Sequence, residues 1–135
     1  MGTSILSSFT LTGSSFDPED ITRRIGLEPT KTWKTGDRVQ GTQIRRKHSG
    51  WVWSMPREES LDLGKQVATL LEQLGPFLSR INEVREEFDL DVEISCAIYI
   101  EGQTPAVHFD RSVMSLVNQL EAEIDLDIYV YPDSE

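Results

Sequence analysis

Residues 90–102, LDVEISCAIYIEG, alternate almost without error. Leu90, Val92, Ile94, Cys96, Ile98 and Ile100 fall on one side of a two-residue period, with Asp91, Glu93, Ser95, Ala97, Tyr99 and Glu101 on the other. That period is a strand's, not a helix's. A long strand with one apolar side belongs in a sheet covered on a single face, as antiparallel sheets commonly are. The rest of the chain must then supply a layer of helices for that side.

The chain supplies that layer. SILSSFTLTG places Ile5, Phe9 and Leu11 on one side of a first strand that ends at Gly13. Asp17 is placed to cap a helix over 18–25, with Pro18 in its first turn, Glu19 and Asp20 at its positive end, and Gly26 to stop it. Between about 29 and 57 the sequence predicts a hairpin of two β-runs, with its turn at Gly41 and a bulge at the Ser49-Gly50 pair. Ser60 is the expected cap of a long amphipathic helix carrying Leu63, Val67, Leu70, Leu71 and Leu74, which Gly75-Pro76 should break or kink before Phe77, Ile81, Val84 and Phe88 continue the stripe. After the alternating strand come a short strand at AVHFD, an Asp110-capped helix with Val113, Val117, Leu120 and Ile124 on one face, and a last strand at DLDIYVY. Residues 132–135 are expected to fray.

The predicted order is βαββαββαβ, and its first six elements spell the ferredoxin-like, split βαβ arrangement. The expected fold class is α+β: one domain over 1–135, a mostly antiparallel sheet with helices on one face. A faint internal similarity between FTLTG and IYIEG, each followed by a loop and an Asp-capped helix, points to two pseudo-repeated halves.

Composition narrows function mainly by exclusion. One cysteine, Cys96, allows no intrachain disulfide, and its place in an apolar strand side predicts a buried, inert thiol. No apolar stretch approaches the roughly 20 residues of a membrane span, and MGTSILSSFTLTG lacks a basic leader region, so no membrane contact and a cytoplasmic location are expected. No phosphate loop, dinucleotide glycine pattern, nucleophile elbow or two-histidine zinc helix occurs. His48 and His108 lie far apart in sequence. No metal, no cofactor and no catalytic residue are therefore expected. The pairs Asp89/Asp91 and Asp125/Asp127 could serve acid-base chemistry, but among 23 acidic residues such spacings arise by chance.

The charge distribution is more informative. The net charge is -10, yet residues 29–57 hold seven Lys and Arg against one acid, and all three tryptophans. A basic tongue projects from an acidic body. Two surfaces follow as candidates. Acids on the outer side, Asp89, Asp91, Glu93, Glu101, Asp125 and Asp127, would bind a basic protein, as an immunity or antitoxin-like inhibitor does. Alternatively Trp33, Arg45, Arg46, Trp51 and Trp53 would line a pocket for a small anionic ligand. The tryptophans could equally be packed structure. Nucleic acid is disfavoured by the body charge and the absence of RNP aromatics, whereas a homodimer through the exposed sheet face stays open.

FDPEDITRRIGLEPTKTWKTGD, SGWVWSM, VEISCAIYIEG and DLDIYVY together resemble a bacterial family catalogued as domain of unknown function 4279, from about Phe9 to Tyr131. The signature falls on Gly26, Leu27, Pro29, Thr30, Trp33, Gly36, Asp37, Trp51, Trp53, Asp125 and Asp127. The resemblance implies a small bacterial cytosolic domain and brings no activity, cofactor or catalytic residue with it.

Overall fold

The computed structural model describes residues 2–132, so 133–135 of the expected frayed tail lie outside the described residues. Strand β1 (Ser4–Gly13) is followed by helix α1 (Pro18–Ile25), β2 (Lys31–Trp33), β3 (Ser49–Ser54) and the two-residue β4 (Glu58–Glu59). Helices α2 (Leu63–Leu74) and α3 (Leu78–Phe88) come next, then β5 (Asp91–Ile100), α4 (Arg111–Gln119) and β6 (Ala122–Val130). The fold is α+β with one mixed, six-stranded sheet ordered β2-β3-β1-β5-β6, and β4 also pairs with β1. All pairings are antiparallel except β5 with β6, which are parallel and joined through α4.

Local chemistry explains the boundaries. The Asp17 carboxylate accepts the Glu19 N–H, and Gly26 stops α1 in the left-handed region at φ 85°, where a side chain would be strained. Gly75–Phe77 form a 3-10 turn that joins α2 to α3 as one bent helical unit. The apolar side of the sheet and the helix stripes then make one core: Ile5, Phe9, Leu11, Val92, Ile94 and Ile98 bury against Ile21, Leu70, Leu74, Ile81 and Val84.

Several expectations need correction. Asp62, not Ser60, caps α2, its carboxylate accepting from Lys65 N. At Ser60 the chain is still tied to Thr3, the residue before β1, donating its N–H to Thr3 O at 3.1 Å. The segment at 106–110 makes an isolated bridge instead of a strand. Ala106 N donates to Leu61 O and Leu63 N to Ala106 O, which anchors it to the start of α2. The extra strand of the sheet is β4, so the predicted βαββαββαβ order does not hold. The hairpin of 34–48 is mostly irregular, with the Arg38–Arg45 bridge and a turn holding Gly41 at φ 78°. Gly50 makes no bulge, since it pairs in register with Thr12 and Trp33. Among the described residues no helix is long and apolar enough to cross a membrane.

Candidate functional site

Strand alternation places one row of β1, β5 and β6 side chains away from the core. β5 sends out Asp91, Glu93, Ser95, Ala97 and Tyr99, and the parallel register sets Glu123 beside Glu93, Asp125 beside Ser95, Asp127 beside Ala97 and Tyr129 beside Tyr99. Two features share this open face, acids at its centre and aromatic rings at one end.

Glu93 and Glu123 sit directly opposite each other, an arrangement that costs stability unless a cation intervenes. None does: among the described residues no ion pair involves Asp91, Glu93, Glu123, Asp125 or Asp127. Glu93 accepts a hydrogen bond from Ser95 Oγ at 2.6 Å. A cleft of about 310 Å³ opens here, bounded by Thr10, Thr12, Asp91, Val92, Glu93, Glu121 and Glu123. Of its acids, Glu121 alone has an ion pair among the described residues, with Arg85 at 2.6 Å.

At the end of the face Tyr99 stacks with Tyr129 at 5.3 Å between centroids and 14° between planes, and with Tyr131 at 6.4 Å and 22°. The Arg57 guanidinium lies 3.7 Å from the Tyr99 centroid, and its Nε donates to Ser4 Oγ at 2.7 Å. Tyrosines bring large rigid contact area at low entropic cost, which is why they are common in interfaces.

The predicted acids divide accordingly. Asp91, Glu93, Asp125 and Asp127 share the open face. Asp89 does not: it ends α3 in the left-handed region at φ 53°, its N–H on Arg85 O. Glu101 lies beyond the end of β5, beside Thr3, whose Oγ1 accepts the Glu101 N–H at 3.0 Å. Sequence reasoning missed Glu123, Arg57 and the tyrosine stack. Tyr99 and Tyr129 have the same strand parity as the acids, but which strands are neighbours, and in what register, is not written in either segment.

The five tongue residues do not converge. Trp51 is fully buried, edge-on to Phe9 at 6.2 Å, and its Nε1 donates to Thr22 Oγ1 of α1 at 3.0 Å. Trp53, opposite Phe9, also faces the helices and packs on the core. Trp33 lies on the other side of the sheet, against Gly50, with the Arg46 guanidinium 4.5 Å from its ring centroid. Arg45 instead donates to Gly36 O at 3.2 Å. A cleft of about 250 Å³ remains beside Trp33, reached by Arg46, Lys47, His48, Thr12 and Asp91.

Cys96 is fully buried on the core side of β5. Burial pushes its thiol up from the ordinary 9.0, the Ser7 hydroxyl that donates to its Sγ at 3.8 Å acts the other way, and Asp125 raises it further. Among the described residues no three His, Cys, Asp or Glu groups come together to hold a metal ion.

The family model for Domain of unknown function (DUF4279) matches residues 3–131, essentially all of the described chain. The chain belongs to the DUF4279 family. The match runs from the first strand of the sheet through the last, so the acidic face, the tyrosine stack and the tongue all lie within the DUF4279 domain. No curated protein and no solved structure matches the chain.

Proposed function

We propose that this DUF4279 chain is a non-enzymatic binding protein of the bacterial cytoplasm, of the immunity or antitoxin-like type, whose open sheet face takes a basic protein partner. The observation that carries this reading is the unneutralised Glu93–Glu123 pair, flanked on the same face by Asp91, Asp125 and Asp127. Like charges held in register weaken a fold, and a surface that keeps them is one whose compensation comes from outside. The strand order β2-β3-β1-β5 supports reading β1, α1, β2, β3, the α2–α3 unit and β5 as a ferredoxin-like frame interrupted by β4, to which α4 and β6 add a parallel strand.

The test is capture from lysate by the wild-type chain and by an Asp125→Lys, Asp127→Lys variant. A basic protein held stoichiometrically by the first, released by salt and lost by the second, supports the reading. Retention unchanged by charge reversal sinks it. The small-anion reading is supported only by the cleft beside Trp33, with Arg46, Lys47 and His48 at its rim. It requires an anion that co-purifies with the wild type and is lost in Arg46→Ala.

A further inference from the structure

Among the described residues the outer edge of β6 is unpaired. There the strand pairs with β5 alone, and its register runs unbroken from Ala122 to Val130. Tyr131 N–H donates to Ile100 O at 2.9 Å, continuing that ladder. Alternation then turns the N–H and C=O groups of Ile124, Leu126, Ile128 and Val130 toward the free edge, where none has a backbone partner among the described residues. Proteins commonly blunt such edges with lysine, proline, a bulge or a covering segment. β6 has no Lys, no Pro and no bulge, and Ile128 and Val130 are 57% and 72% exposed.

The two sides of this edge differ in chemistry. Glu123, Asp125 and Asp127 stand on the open side, and Ile124, Leu126, Ile128 and Val130 on the helix side. The acids decide which strand can add here. A second copy pairing antiparallel about a two-fold through the middle of β6 would set acids against acids. A strand alternating lysine or arginine with apolar residues would instead place each cation on the acidic row and each apolar group beside the exposed aliphatic one.

We propose that β6 is a strand-addition site for an extended segment of a partner that alternates basic and apolar side chains. This rests on the acidic-face reading and specifies how the partner is held: main-chain hydrogen bonds supply the attachment and the two side-chain rows the selectivity.

The experiment titrates three capped nine-residue peptides into the isotope-labelled full chain: alternating Val-Lys, the same residues in two blocks, and alternating Val-Glu. Binding is read by amide shifts and hydrogen exchange. The expected result is that only alternating Val-Lys binds and slows exchange at Ile124, Leu126, Ile128 and Val130. Ile128→Pro should weaken it about tenfold or more with the rest of the spectrum unchanged, because proline removes an outward N–H and leaves the β5 ladder intact. Asp125→Lys with Asp127→Lys should exchange the preference to Val-Glu. If both lysine peptides bind equally without protecting the edge amides, strand addition is wrong while the acidic-face reading stands. Binding of none overturns both. Edge amides already protected in the free chain, with a dimer in sedimentation, would give the edge to a second copy and overturn the proposal. The exchange measurement on the wild type decides the matter even if Ile128→Pro fails to fold.

Discussion

The indole of Trp33 lies against the backbone of Gly50, its directly paired neighbour on β3, and a Cβ built on Gly50 would fall inside the Cζ2 and Cε2 atoms of that ring. The glycine is there for space, not for conformation, since its backbone continues a regular strand. Arg46 then closes over the ring, which fixes the base of the tongue to the sheet.

Gly50→Ala should therefore cost about 1–3 kcal/mol by overpacking. In a Trp33→Ala background the same change should cost far less. Urea unfolding of the four chains gives the coupling directly, and equal costs in both backgrounds would reject the contact as the cause.

Glu123→Lys should stabilise the chain by about 0.2–1 kcal/mol at low salt, because it replaces a like-charge pair with Glu93 by an attractive one. The gain should shrink as the screening length falls from about 10 Å at 0.1 M to about 3 Å at 1 M salt. Thermal unfolding at the two salt concentrations checks this, and a loss of stability at low salt would show that the repulsion is not felt.

Gln66 is buried in α2, and its Oε1 has no partner among the described residues. An unmade hydrogen bond inside a protein costs more than an apolar group of similar size. Gln66→Met should raise stability by roughly 1 kcal/mol. Denaturant unfolding that shows a decrease would mean that the oxygen is satisfied by bound water.

The buried Cys96 thiol predicts a pH dependence. Its folded pKa stands above the ordinary 9.0, so the neutral thiol is favoured by folding. Its contribution is complete below pH 9.0 and is lost as the pH rises toward the folded value, with a slope of at most about 1.4 kcal/mol per pH unit. Subtracting the pH profile of Cys96→Ala isolates this slope from other groups. Parallel profiles would contradict the burial argument, as would rapid alkylation of the native thiol.

Much of the fold was legible because it is local. The alternation of residues 90–102 gave a strand with its buried side correctly assigned, and Asp17, Gly26 and Asp110 marked helix ends because caps act over three or four residues. Ser60 does not cap α2 because the two-residue β4, which holds that segment extended, exists only through its pairing with β1. The segment at 106–110 forms no strand for the same reason: the hydrogen bonds of Ala106 go to the start of α2, a partner no local pattern names.

By itself, the sequence determined the apolar sides of the strands, the helix stripes apart from Ile124, which lies in β6, the caps of α1 and α4, and the separation of a basic tongue from an acidic body, all set by periodicity and by side-chain chemistry within a few residues. Tertiary structure alone decided register and neighbourhood. It placed Trp51 in the core and Trp33 on the opposite face, since tryptophans of neighbouring strands share a face only if the pairing register allows it. It also set Glu123 against Glu93 and Tyr129 against Tyr99 across 30 residues of chain, because a parallel pair is aligned by the packing of the helix between its strands, not by either strand's own pattern.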